Sequence, residues 1–326
     1  MEFYESKSVD PYYNLAMEEY FFSHMDRKKE YFLLWQNDKA VIVGKYQNTL
    51  EEVNQSFAEK EGIRVARRLS GGGAVYHDLG NLNYTFIVDE DRAEAFRFEA
   101  FTRPMLNALK KLGVTAESSG RNDLTIRGQK ISGSSQYLRD GRLLHHGCIL
   151  LDCDRETMAR VLLVPDSKIV SKGIKSVRSR VTSINEQLSQ PITMAQFKAA
   201  VREEIFASAP RPVQLSAEDL AAIQQLRDNR YAVWDWNYGA SPKCDIRKEK
   251  RFDFGILWIE IAMEKGRIQN LKLSGDFFGR KELGSLEEAF RGKRLLREDM
   301  ESLRRIELEP YVSGLNWDLL LEMLCG

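Results

Sequence analysis

Three consecutive glycines constrain this chain more than any other feature. Gly71, Gly72 and Gly73 stand in Arg67-Arg68-Leu69-Ser70-Gly71-Gly72-Gly73-Ala74-Val75-Tyr76-His77-Asp78. Glycine loses backbone entropy on folding and buries no side chain, so packing does not account for three in a row. The run fits a backbone that approaches another group closely or takes positive φ. With Arg67 and Arg68 beside it, the expected visitor is an anion met by backbone N–H groups. The plainer alternative is a flexible surface turn.

The chain has 326 residues, a length that favours two domains, and 43% apolar residues, enough for ordinary cores. Lys and Arg number 48 against 48 Asp and Glu, a balance that argues against a dedicated nucleic-acid binder. Cys148, Cys153, Cys244 and Cys325 have neither metal-ligand spacing nor the density of a disulfide scaffold. They read as reduced thiols. No apolar run approaches the ~20 residues that span a bilayer. The expectation is a cytoplasmic protein that does not enter a membrane.

Asp10-Pro11 marks a helix start, continued to about Met25. Phe32–Trp35 and Ala40–Gly44, around Asn37-Asp38, read as a hairpin. A helix is expected over 51–61 with Gly62 as its stop, then a strand over 63–68 leading into the glycines. Leu82–Val88 reads as a strand and Phe96–Leu112 as a helix closed by Gly113. Short strands are expected at 114–117, 124–126, 130–132, 135–138 and 146–151, two of them joined by the Asp140-Gly141 turn. Helices are expected over 154–163, 194–207 and 215–229. Trp234 and Trp236 read as core packing under a loop. Residues 254–263 and 268–274 read as strands, with a helix-rich tail. Mixed sheet and helix without βαβ alternation points to an α+β fold.

The candidate chemistry lies in four segments. These are the glycine loop; His77-Asp78-Leu79-Gly80-Asn81; Ser119–Asp123 with Gly128–Ser134; and His145-His146-Gly147. Lys130 stands between Gly128 and Gly133 among small neighbours. A lysine in such space acts as a point charge that can neutralise phosphate or carboxylate oxygens during attack on phosphorus or an acyl carbon. Beside an arginine-flanked glycine loop it suggests a nucleotide anhydride site, although no Walker A loop or dinucleotide fingerprint occurs. His77 reads as a base or as a structural partner of Asp78. Cys148, inside an apolar strand, reads as inert. The basic run Lys172–Arg180 reads as a solvated loop, a segment over phosphates, or a dock for an acidic partner.

The segments RRLSGGGAVYHDLGN, SGRNDL, GQKISGSS, HHGCILLD and KGIKSVRSRVTSINE, with GASP and LSGDFFG later, resemble the lipoate–protein ligase A family over nearly the whole chain. The resemblance implies a biotin/lipoate-ligase-like catalytic domain, a mixed β-sheet flanked by helices, over 1–242. It implies a linker at 243–250 and a small α+β accessory domain over 251–326. The turn-rich boundary, with Gly239 and Pro242, would let the small domain swing after the first half-reaction. The implied activity uses ATP and Mg²⁺ to convert lipoate to lipoyl-AMP. The lipoyl group then passes to a lysine of an apo lipoyl domain of a 2-oxoacid dehydrogenase E2 subunit, or of glycine cleavage H protein.

By resemblance Lys130 is the catalytic cation. Arg68, Ser70, Gly71, Gly72, Gly73, Ala74, Val75, Tyr76 and His146 line lipoate and nucleotide, with Val75 and Tyr76 as apolar wall. Asn81, Asn122 and Asp123 are candidates for adenine or phosphate, Asp123 also for Mg²⁺. Leu69 stands where relatives often carry a polar residue, and Ser134-Ser135 where Ser-Ala is common. The main alternative is an octanoyl or lipoyl transferase of the same fold with Cys148 as nucleophile. Biotin ligation and a binding-only relative are further alternatives.

Overall fold

The computed structural model describes residues 1–89, 98–119, 122–163, 181–239, 246–264, 267–294 and 297–325. The chain opens with β1 (Glu2–Glu5), then a helix Pro11–Ser23 whose Asp10 side chain accepts from the Tyr12 amide at 3.1 Å. The strands β2 (Tyr31–Trp35), β3 (Ala40–Val43), β4 (Arg64–Arg67), β5 (Val75–His77) and β6 (Asn81–Asp89) follow. After the helix Glu99–Lys111 come β7 (Glu117–Ser119), β8 (Asp123–Ile126), β9 (Gln129–Arg139) and β10 (Arg142–Leu150). The helices Arg155–Val161, Met194–Ile205 and Ala217–Leu226 surround β11 (Arg211–Pro212). Strands β12 (Ile246–Phe252), β13 (Gly255–Glu264) and β14 (Arg267–Gly275) build the C-terminal unit with short helices, the last Trp317–Cys325.

Among the described residues, the large sheet has the order β11-β1-β2-β6-β10-β9-β8-β7, mixed in direction. Residues alternate across it. Phe32, Leu34, Leu82, Tyr84 and Phe86 pack on the helices Glu99–Lys111 and Met194–Ile205. Tyr31, Leu33 and Trp35 face the other way, onto Leu15 and Phe21 of the first helix and Ile42 and Ala66 of a small sheet ordered β4-β3-β5. The site described below lies between these two sheets.

Several expectations shift. Phe32–Trp35 and Ala40–Val43 do not form a hairpin: β2 pairs with β1 and β6, and β3 with β4 and β5. Every residue of both strands is buried, so each needs cover on two faces, which a hairpin edge does not give. The expected strands at 130–132 and 135–138 are one strand, because β10 pairs along it continuously. The expected 51–61 helix is two, Thr49–Glu52 and Gln55–Glu61, the second capped by Asn54. The strand expected at 114–117 lies at Glu117–Ser119. Trp234 is 61% exposed and stacks on Tyr238 instead of filling a core.

Strand β12 starts at Ile246, inside the stretch expected as linker. Residues 240–245, with Cys244, and the basic run 172–180 lie outside the described residues, as do Gly120 and Arg121. The C-terminal unit has its own core, with Ile259, Leu271, Phe277, Phe290, Leu320 and Leu321 fully or almost fully buried. It also takes in Tyr46 of the N-terminal part, whose ring stacks on Phe277 with centroids 5.0 Å apart. The Gly275 amide donates to the Tyr46 carbonyl at 2.8 Å.

Candidate active site

The glycine loop runs from β4 to β5 and roofs the inner face of the large sheet. Gly72 has φ of +90°, a conformation that side chains disfavour. The two arginines before it hold the chain in place. Arg67 is 5% exposed and donates to the carbonyls of Gly44, Gln47, Trp236 and Asn237 and to the Thr49 hydroxyl. Arg68 donates from Nη2 to the carbonyls of Gly71 and Gly73 at 2.7 and 2.8 Å, from Nη1 to the Ile42 carbonyl, and from Nε to the Ser70 hydroxyl. Burial lowers both arginines to about 10, which leaves them charged at neutral pH. Arg68 lines the pocket, but most of its donors are occupied by the loop itself.

Ser70 extends this network inward. Its hydroxyl lies 2.7 Å from His146 Nε2, and His146 Nδ1 lies 3.0 and 3.1 Å from the two oxygens of Glu18. Glu18 also accepts from the Thr85 hydroxyl, which accepts from the Trp35 indole N–H. A carboxylate on one end and an arginine on the other give the chain a direction. Glu18 accepts from Nδ1–H, and Nε2 accepts from Ser70. The Ser135 hydroxyl fastens the roof from the sheet side by donating to the Gly71 carbonyl at 2.8 Å.

The floor is a row of paired residues on one face of four adjacent strands: Gly133 on β9, Cys148 on β10, Asn83 on β6 and Trp35 on β2. Three strand spacings make this row about 14 Å long. At its outer end Lys130 follows the Arg127-Gly128 turn and bends back over Gly133. A Cβ at Gly133 would lie 2.9 Å from Lys130 Nζ, so the lysine lies directly over this glycine and a larger residue would displace its ammonium end. Lys130 Nζ forms a 2.8 Å ion pair with Asp123 Oδ1, both groups about one-third exposed. Asn122 lies beside them and donates to the Ser134 carbonyl at 2.7 Å. At the inner end stand Trp35, Leu15, Ile42, Val75 and His77.

The pocket thus gathers Arg68, Gly72, Gly73, Ala74, Val75, Asn122, Lys130 and His146 of the expected residues. Ser70 and Gly71 sit behind the lining as supports. Two candidates fall elsewhere. Tyr76 alternates away from Val75 and His77 and packs at 3% exposure among Val41, Val65 and Leu150, so it is no part of the pocket wall. Asn81 is fully buried and its Nδ2 donates to the Tyr76 carbonyl and to Cys148 Sγ, behind the pocket lining. Asp78 does not pair with His77: it accepts from the Gly80 and Asp154 amides, and His77 pairs with Asn37.

Sequence reasoning missed Glu18, Asn83 and Trp35. Glu18 lies three residues after Leu15 on the buried side of its helix. Asn81, Asn83 and Thr85 put polar groups at period two on a buried strand. Either pattern marks a polar inner face.

An acyl-sized apolar slot, a lysine at its mouth and a roof of glycines suit an acid activated at its carboxylate. Residues 10–206 match the family model described as the lipoyl protein ligase A/B catalytic domain, and residues 241–324 the bacterial lipoate protein ligase C-terminus. The chain belongs to the lipoate–protein ligase family. Among its relatives, the Bacillus subtilis lipoate-protein ligase LplJ is 40% identical, covering 99% of this chain and 100% of that one. Lipoate–protein ligase 1 of Staphylococcus aureus is 42% identical over 90% of each chain. The crystal structure of P. falciparum LipL1 in complex with lipoate shares the fold, with a TM-score of 0.81 at 24% identity over 99% of both chains. A crystal structure of lipoate-protein ligase A bound with ATP matches at a TM-score of 0.62 and 26% identity, covering 74% of this chain and 100% of that one.

Within this ligase-family site Cys148 stays a thiol. Burial pushes its pKa far above the ordinary range, and its Sγ accepts from Asn81 at 3.2 Å. No group of three or more His, Cys, Asp or Glu able to hold a metal occurs among the described residues. No helix among them is long and apolar enough to cross a membrane.

Proposed function

We propose that the chain activates lipoate with ATP and then attaches the lipoyl group to a lysine of a partner protein. The observation that carries this is Lys130, held over Gly133 at the open end of the acyl row. In the first half-reaction a lipoate carboxylate oxygen attacks the α-phosphorus, the bond to pyrophosphate breaks, and lipoyl-AMP forms. Two anions must approach, so a cation at the junction lowers the barrier. Gly72 and Gly73 admit substrate close to the backbone on the opposite side. In the second half-reaction the acceptor amine attacks the acyl carbon and AMP leaves. Neither step needs an enzyme nucleophile.

Mg²⁺ fits this site in one way. Asp123 offers a single carboxylate beside Lys130, and a metal arriving with the triphosphate would take its other oxygens from phosphate and water. There it would neutralise phosphate charge. The acceptors proposed are the lipoyl domains of 2-oxoacid dehydrogenase E2 subunits and glycine cleavage H protein. A related archaeal ligase structure is described together with its E2 lipoyl domain. The transferase alternative is disfavoured by the protonated Cys148 thiol, because the thiolate is the nucleophile.

The test is the intact mass of an apo lipoyl domain and an apo H protein, each incubated with this protein, lipoate and Mg²⁺, with and without ATP. A lipoyl mass gain that requires ATP is expected. A gain from an acyl-carrier donor without ATP would replace the ligase by the transferase.

A further inference from the structure

Strand β10 ends at Leu150, and its pairing with β9 stops at Ile149, opposite Ser132. The first residues of β9, Lys130 among them, therefore have β8 on one side and no β10 on the other. A strand end held along one edge opens easily. Here another segment takes that side. Val181 pairs in parallel with Lys130, and the Thr182 amide donates to the Lys130 carbonyl at 2.9 Å. The same segment is tied to the end of β10, because the Ile184 amide donates to the Leu150 carbonyl at 2.9 Å. Residues 181–184 thus form a strap that carries the pairing past the end of β10 and onto the backbone of the lysine.

Two charged side chains hold the strap. Arg155 donates from Nη1 to the Val181 carbonyl at 3.1 Å and from Nη2 to Glu186 Oε1 at 2.7 Å. Glu186 Oε2 accepts from the Thr182 hydroxyl at 2.9 Å, and Gln187 Nε2 donates to that hydroxyl at 3.0 Å. One carboxylate thus joins the arginine to the strap at a second point. The planar fork of arginine reaches the carbonyl and the carboxylate together, which the single ammonium of lysine does less well. Arg155 is also the first residue of the helix Arg155–Val161, where the helix dipole disfavours a cation. The strap accounts for a cation at that position, and its own helix does not.

The backbone at residue 130 sets where the lysine side chain starts, and the side chain then reaches back over Gly133 to Asp123. Misplacing a group at the reacting centre by about 1 Å can cost about 100-fold in rate. Neither Arg155 nor Glu186 lines the pocket. We propose that both are positioning residues for the reaction, acting through Val181 and Thr182 on the backbone of Lys130. The proposal rests on the ligase reading for the role of Lys130. The strap itself, two side chains fixing a segment that pairs with residue 130, is separate from that role.

Lipoate-dependent ATP–pyrophosphate exchange on the full chain tests it. Arg155→Met and Glu186→Ala are each expected to lower kcat about 10- to 100-fold and to leave KM for lipoate within about threefold, because the acyl slot is untouched. In a Lys130→Ala background either substitution should add less than about twofold. A residue that only stabilises the fold, or that acts on phosphate by its own charge, would cost the same factor in both backgrounds. Hydrogen exchange read by mass spectrometry needs no activity: the Thr182 amide should lose protection in both variants while the amides of β6 keep theirs. Full activity in a folded Arg155→Met protein, an undiminished factor in the Lys130→Ala background, or unchanged Thr182 protection would each overturn the proposal. Absence of pyrophosphate exchange in the unaltered protein would sink the ligase reading instead, and Thr182 protection would still decide whether Arg155 and Glu186 hold the strap.

Discussion

Lys130 Nζ and Asp123 Oδ1 lie 2.8 Å apart above a residue that has no side chain, Gly133. A lysine puts one compact charge there, whereas an arginine would spread its charge over a planar fork. Lys130→Ala and Lys130→Arg are both expected to lower lipoate-dependent ATP–pyrophosphate exchange by about 100-fold or more. An Arg variant with ordinary activity would show that charge alone suffices there.

Cys148 is the natural suspect for a covalent mechanism, and its surroundings deny it that role. Because burial keeps the thiol protonated, Cys148→Ala is expected to retain activity within about tenfold, and native protein to react slowly with iodoacetamide at pH 7. Peptide mass mapping after timed alkylation checks the second point. Rapid labelling at Cys148 would contradict it.

Glu18 anchors the network that ends in the glycine roof. Glu18→Ala leaves His146 Nδ1–H and the Thr85 hydroxyl without a buried acceptor. The expected loss is about 3 kcal/mol of unfolding free energy. Glu18→Gln keeps one acceptor and should lose less. Urea unfolding of both variants ranks them, and equal losses would mean that volume matters here and hydrogen bonding does not.

Tyr46 belongs to the N-terminal part by sequence and to the C-terminal core by packing. Tyr46→Ala is expected to lower unfolding free energy by about 3–5 kcal/mol, the range for large aromatic truncations. It should also split a single thermal transition into two, because the two units lose their shared ring. One sharp transition in calorimetry would show that they are coupled mainly elsewhere.

Acid should destabilise the fold through its buried imidazoles. His145 is fully buried against Phe101, and burial lowers its pKa well below 6.5; His77 is lowered to about 3. Between 6.5 and the folded values, the unfolded chain binds more protons than the folded one, so stability falls as pH falls. Urea midpoints should drop steadily below pH 6.5, and His145→Phe should drop less steeply. Parallel slopes would place the acid sensitivity on other groups.

The sequence made some of this legible and hid the rest for identifiable reasons. The glycine loop stands out because three glycines in a row cost backbone entropy, and Lys130 because small residues on both sides leave it space. The first helix, the Asp140-Gly141 turn and the α+β mixture follow from capping, turn chemistry and periodicity. Arg67 and Arg68 looked like anion clamps, but their donors reach carbonyls from segments up to 170 residues away, which local pattern does not reveal. The family resemblance puts Tyr76 on the pocket wall, whereas strand alternation sends its side chain to the other side. Asn83 was invisible among strand residues until pairing placed it on the row with Trp35 and Cys148.

The row Gly133, Cys148, Asn83 and Trp35 runs across strands, not along one, and this fixes how the pocket measures a substrate. Its length is counted in whole strands, a ruler graduated in steps of about 4.8 Å. Point substitutions can shave or pad the ends of that ruler but not change its spacing. Evolving such a site toward much longer acids would therefore need a new exit past Trp35, not a deeper version of the same slot.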